Sequence, residues 1–308
     1  MKKNLGKQNS AISAWVLEAD TVKSPKRVVI LGASGFIASN LKKLLESRGI
    51  VCRAIASSEI DLCDEKSPAV LAQIVTPEDA LVMTSMITPD KGKDAAVQEK
   101  NIRMGKHAAD FLTANSCQHV IYLSSDAVYP DSVSLMTEKT YCGPDSLYGA
   151  AHLTREKMIL EAAKKKSTPY LIVRPSAIYG PQDTHNGYGP NRFMRSASKE
   201  NRIALFGNGE EKRDHIYIKD ICELLILSLQ HQTEGILNAV TGQALSFMEV
   251  AQAVKALKGP EVKIEPSPRA NPVTHRHFDN AKLLKTFPSF RFTPFEEGLK
   301  TMFSAAGS

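Results

Sequence analysis

With 308 residues, 43% of them hydrophobic, the chain is long enough for one enzyme-sized core, or a core with a smaller lobe beside it. The net charge of +6 is spread along the sequence, and the densest run, Lys164 to Lys166, falls at a predicted helix end where cations suit the dipole; anionic small substrates are favoured over nucleic acid. Five cysteines (Cys52, Cys63, Cys117, Cys142, Cys222) form no CxxC pair and no metal-ligand spacing, and no apolar run approaches the roughly 18 residues that span a membrane, so neither a metal nor a membrane is expected and the setting reads as reduced and cytoplasmic.

Residues 1–24 are polar and lysine-bearing, with "AISAWVL" as the one apolar patch, and read as an N-terminal arm rather than a cleaved signal. From Arg27 onward short β-branched runs alternate with amphipathic helical stretches, which predicts an α/β fold with a doubly wound, Rossmann-type parallel sheet. "RVVIL" is the first strand, and Ile37, Leu41, Leu44 and Leu45 then recur at helical spacing until Gly49. "IVCRAIA" is the second strand, and Asp61 opens "DLCD" as a further short one. The series continues with "ALVMT", a long helix from about Asp94 to Asn115, "HVIYLSS", the helix "LYGAAHLTREKMILEAAKKK" and the strand "YLIVRP". After Pro181 the regularity fails in a loop rich in Gly, Pro and Asn. A helix around "RFMRSASK", a strand "RIALFG", the helix after "HIYIKD" and a Pro-rich "EPSPRANPV" follow. This order predicts a dinucleotide-binding domain over residues 25–180 and a smaller α/β lobe, mainly substrate-binding, over 181–308, with the chain crossing back to the first domain.

The first strand runs straight into "GASGFIA", so Gly32 and Gly35 stand at a strand-to-helix turn whose backbone amides can approach a pyrophosphate. Ser34, Phe36 and Ile37 share that turn. Ala38 is small enough to let the helix pack closely on the sheet. An acid at the end of the second strand would hold the adenosine ribose and repel a 2′-phosphate; here Ser57 and Ser58 stand in its place, which favours NADP over NAD. Asp61, with Leu62 beside it, is placed for the adenine amino group, and Ser85 after "ALVMT" completes the candidate cofactor set.

In "SLYGAAH" the side chains of Tyr148 and His152 lie on one helix face, roughly 6 Å apart along the axis. Five stretches now stand in one order: "GASGFIA", "YLSSDAVYP", "YGAAH", "RPSAIYGP" and "GNGEEKRDHIYIKD". Together with "TPFEEGL" and the spacing of Arg269 to Asp279, they resemble the extended short-chain dehydrogenase/reductase family over about residues 26 to 300. The resemblance implies a sheet that holds a nicotinamide cofactor, NAD or NADP, and a C-terminal lobe that holds a nucleotide-diphosphate sugar; in that family a homodimer through two long helices is common.

Carried over by position, Ser125 looks like the family's catalytic hydroxyl and Tyr148 like its proton donor or acceptor, the pair suited to an alkoxide that forms or collapses during hydride transfer. Asp126 matches the aspartate of the dehydratase motif and could assist proton transfer to a substrate oxygen. The chain departs from the pattern at His152, where the family has a lysine that bridges the nicotinamide ribose and keeps the tyrosine acidic. A histidine, with a reference pKa of about 6.5, is mostly neutral at pH 7. Lys157 lies nine residues from Tyr148, roughly 13 Å along the helix, too far to substitute. Two residues before Tyr129, where the resembling dehydratases carry a glutamate and the fucose-type enzymes a cysteine, this chain has Ala127, so abstraction of a carbon-bound proton by that route is closed. What remains is redox at a sugar carbonyl, by a 4-ketoreductase consuming NADPH or a 4-epimerase retaining NAD; a binding-only relative is the third possibility, and His152 is the feature that points to it. Arg213 and Arg269 stand where the family has phosphate-binding arginines, with Asn191 and Arg192 near the same phosphates, and His185 reads as a plain loop histidine.

Overall fold

The computed structural model describes residues 22–183, 185–269 and 272–306; most of the expected N-terminal arm, with "AISAWVL", lies outside them. The first half of the chain runs β1 (Arg27–Leu31), α1 (Phe36–Ser47), β2 (Cys52–Ile55), α2 (Ser67–Ile74), β3 (Asp79–Met83), α3 (Ala95–Ala114), β4 (His119–Leu123), a single 3-10 turn (Asp126–Val128) and β5 (Leu135–Met136). Then come α4 (Leu147–Lys165), β6 (Tyr170–Pro175), β7 (Ala177–Tyr179), α5 (Pro190–Glu200), β8 (Arg202–Phe206), β9 (Lys212–Tyr217), α6 (Ile218–Gln230) and β10 (Gly235–Ala239). The remainder is β11 (Ala244–Ser246), α7 (Phe247–Lys258), β12 (Lys263–Ser267), β13 (His277–Phe278), α8 (Ala281–Thr286) and α9 (Phe295–Ala306).

Six strands form one parallel sheet in the order β10-β6-β4-β3-β1-β2, the doubly wound arrangement expected of alternating strands and helices. The strands read as continuous apolar runs because both faces are covered. Val28 and Ile30 pack with Leu41 and Leu45 of α1 and Ile221 and Leu225 of α6, whereas Val29 and Leu31 face the other way, onto Phe111 and Leu112 of α3 and Ile159 of α4. The C-terminal ends of β1, β3, β4 and β6 therefore converge on one crevice edge. Smaller sheets, β11-β9-β7 and β12-β8, flank that edge.

"DLCD" is not a strand. Asp61 Oδ1 accepts from the Cys63 amide and Asp64 Oδ1 from the Lys66 amide, both at 2.9 Å, and these local bonds make turns that lead into α2, a helix the sequence reading did not foresee. Within the Pro-rich segment β12 forms after all, pairing with β8 at a sheet edge, where Pro266 withholds no needed donor.

Candidate active site

The turn between β1 and α1 is built for close approach. Gly32 has φ +102°, and a Cβ there would meet the Ser85 backbone and the Thr84 hydroxyl at 3.0 Å, so only glycine fits. Gly35 caps α1 with extended backbone and no side-chain hydrogen bond, which leaves the amides of the first helical turn free for an anion. A dinucleotide pyrophosphate fits this cradle, and the hydroxyl of Ser85, buried without a partner among the described residues, stands beside it.

In front of the turn lies a cavity of about 380 Å³. Ser34, Gly35, Phe36 and Ile37 line one part of it, and Ser125, Asp126, Tyr148 and His152 another. The last four are brought together by one glycine: Gly149 of α4 packs so tightly on the carbonyl of Ala127 that any side chain there would collide with it. The 3-10 turn and the start of α4 are thereby pressed together. Ser125 Oγ caps that turn, accepting from the Ala127 amide at 3.1 Å, and lies 3.3 Å from Asp126 Oδ1, to which it donates. Ser146 caps α4 by accepting from the Gly149 amide at 3.1 Å.

The electrostatics of this corner follow from burial. Removal from water raises the Tyr148 phenol pKa, with Tyr122 and Asp126 adding to the effect and Arg155 opposing it. His152 falls well below the ordinary histidine value, because burial and then the Arg155 charge disfavour an imidazolium. Burial likewise raises Asp126 against the pull of Arg276 and Arg213. Arg276 was not singled out from sequence. Its Nη1 donates to the Asp126 carbonyl at 2.8 Å and reaches the carboxylate at 3.4 Å, and its other nitrogens bond Asp131 and the Tyr129 carbonyl.

The other candidates are divided between the cavity and the surface beside it. Ser57 and Ser58 are exposed after β2, near an Arg53–Glu59 ion pair of 3.5 Å, and do not line the cavity. Asp61 is exposed and spends Oδ1 on its own turn; the Leu62 carbonyl accepts from His107 Nδ1 at 2.8 Å. Asn191 lines the cavity, but both ends of its amide hold the Gly180 backbone, at 3.1 and 2.7 Å. Arg192 is exposed and lies over the Tyr188 ring, 5.9 Å from its centroid. Arg213 and Arg269 meet at Glu211, at 3.7 and 3.1 Å, beside the cavity rather than in its wall, and Arg269 also pairs with Glu210 at 2.9 Å. His185 bonds Asp90 at 2.5 Å across the loops bordering the cavity. His215, also unforeseen, lines the cavity with both ring nitrogens unpartnered among the described residues and a pKa pushed down to about 3 by burial and Arg213. Among the described residues no cluster of His, Cys, Asp or Glu could hold a metal ion, and no helix is long and apolar enough to cross a membrane.

Residues 28–239 match the sequence profile of the NAD dependent epimerase/dehydratase family. The chain belongs to that family. Among solved structures, members and relatives of this epimerase/dehydratase fold superpose closely. UDP-glucose 4-epimerase of Thermus thermophilus in complex with NAD gives a TM-score of 0.79 at 20% identity, over 92% of this chain and 99% of that one. UDP-N-acetylglucosamine 4-epimerase of Methanobrevibacter ruminantium, bound to UDP-N-acetylmuramic acid, gives 0.80 at 21% over 92% and 98%. RMD from Pseudomonas aeruginosa complexed with NADPH gives 0.79 at 19% over 91% and 98%. At these identities the likeness is one of fold. The epimerase/dehydratase profile ends at Ala239, the last residue of β10.

Proposed function

We propose that this family member transfers a hydride between NAD(P) and the C4 carbonyl or hydroxyl carbon of a nucleotide-diphosphate sugar, as a 4-ketoreductase. The observation that carries the reading is the shared cavity: Ser125 and Tyr148 line the same space as the uncapped glycine turn, while the position of the alternative carbon base is Ala127. The bound nicotinamide would supply the hydride. The Tyr148 phenol would give its proton to the sugar oxygen as the carbonyl carbon is reduced, Ser125 Oγ would donate a hydrogen bond to that oxygen, and His152 Nε2, buried and unpartnered, would hold a ribose hydroxyl. Arg213 and Arg269, whose guanidinium groups already share a carboxylate, would exchange it for the substrate pyrophosphate.

The purified protein, incubated with NADPH or NADH and 4-keto nucleotide sugars carrying different bases, should oxidise the nicotinamide stoichiometrically with sugar reduced. Tyr148→Phe should lower kcat at least about 100-fold, the usual contribution of a positioned acid. Firmly retained NAD with interconversion of C4 epimers would make the protein an epimerase instead, and an unchanged rate in Tyr148→Phe would remove this helix from the chemistry.

A further inference from the structure

Tyr148, His152 and Arg155 lie on one stripe of α4, and Tyr122 of β4 stands between the last two. The Tyr122 hydroxyl is 2.8 Å from His152 Nδ1, and the two rings are 6.0 Å apart. On the other side of Tyr122 the Arg155 guanidinium lies 5.2 Å from its ring centroid, while the His152 ring meets Tyr148 edge-on at 4.7 Å. Four side chains thus form an unbroken row from a fixed cation to the cavity. Arg155 is 0% exposed; among the described residues its Nη1 reaches Met86 Sδ, at 3.0 Å, its Nε and Nη2 have no geometric hydrogen-bond partner, and its charge bears directly on the Tyr122 phenol. Its stem fills the space left open by Gly105 of α3, where a side chain would collide with it. Among the described residues no carboxylate answers it. Glu156, the next residue, is turned away to Arg174 and Ser124. A buried guanidinium stays charged, and leaving one unpaired sacrifices stability that an apolar side chain in the same hollow would keep.

We propose that Arg155 is the fixed cation of this proton-transfer site, a positioning residue that acts on Tyr148 through Tyr122 and His152; the inference rests on the reading of Tyr148 as the proton-transfer group. The groups that face the Tyr148 phenol are His152 on its own helix, Tyr122 of β4, Asp126 after β4, Asp90 after β3 and Arg155, and of these Arg155 alone favours the phenolate. Arg155 also fixes the histidine. Burial keeps the imidazole neutral and the Arg155 charge adds to that, and since the Tyr122 hydroxyl has no other acceptor among the described residues, it donates to Nδ1 and leaves the ring proton on Nε2. The charge that the family lysine would carry beside the phenol is here displaced along the helix and shielded from water.

The test places a fluorinated tyrosine, whose phenol is more acidic than that of tyrosine, at position 148 and follows its titration by 19F NMR without cofactor. Arg155→Gln and Arg155→Met should raise that titration by about one pH unit, the effect of a unit charge about 10 Å away at an effective dielectric of about 20. Arg155→Lys should leave it nearly in place, and Arg155→Gln combined with His152→Lys should bring it back down. In the native background the alkaline limb of the kcat profile should follow the same order with KM little changed. A titration unmoved in Arg155→Gln, or moved as far in Arg155→Lys, would reduce Arg155 to packing. If Arg155→Met fails to fold, the Gln and Lys pair still decides. Turnover untouched by Tyr148→Phe would instead strike at the enzyme reading, and the NMR titration would stand apart from that result.

Discussion

Arg174 of β6 and Arg155 of α4 are both shut away from water, 3% and 0% exposed, yet their surroundings differ completely. Arg174 donates twice to Glu156, at 2.9 and 2.6 Å, and once to the Tyr129 hydroxyl at 2.9 Å; Tyr129 in turn donates to Asn238 of β10, and Ser124 to Glu156. Every charge there has an answer within hydrogen-bond reach, and the network ties β4, α4, β6 and β10 into one body. Arg155 has a thioether and an aromatic face. The contrast separates two uses of a buried cation. One is neutralised where it stands and serves architecture, while the other keeps its field for a group farther along the row.

Breaking the paired member should have the largest effect. Glu156→Gln leaves Arg174 charged and unanswered, and urea unfolding should show a loss of about 3–5 kcal/mol, the cost of removing one partner of a buried pair. A smaller effect should mark the region of Arg155 on acidification. His152 is neutral in the folded protein and held below its unfolded pKa of about 6.5, so its contribution is complete above that value and falls away as the pH drops below it, because the unfolded chain then binds the extra proton. By pH 5 the loss should be about 2 kcal/mol, at 1.36 kcal/mol per unit, and His152→Gln should flatten the stability profile by that amount. Smallest of all, Arg155→Met, which exchanges an unpaired cation for an apolar chain beside Met86, should change stability by no more than about 1 kcal/mol, and in the stabilising direction. A loss from Arg155→Met equal to that from Glu156→Gln would erase the distinction.

Much of this molecule could be read from its residues in order. The glycine turn, the parallel strands and the tyrosine-histidine spacing are local patterns, and each stands where its local physics puts it. "DLCD" misled because Asp61 and Asp64 prefer turn bonds to their own backbone over a ladder. Arg155 follows Tyr148 and His152 at helical spacing, so its face could be foreseen, but its burial depends on Gly105, fifty residues earlier on another helix. Arg276 reaches Asp126 across 150 positions, and no spacing rule spans that distance. His215 gave no signal either, since its environment is assembled from Phe247 and Phe295, far along the chain.

The place of β10 at the outer edge of the main sheet bears on how the chain is made. Its partner β6 ends at Pro175, and β10 begins only at Gly235, so during synthesis the β6 edge waits unpaired while β7, α5, β8, β9 and α6 emerge. Over that interval Arg174 and Tyr129 lack Asn238, and His119 lacks the Thr233 carbonyl that it meets at 2.9 Å. An open strand edge next to an incomplete polar cluster is the state in which a nascent chain is most prone to stick to its neighbours, and chains that stop short of Ala239 would be held in it permanently.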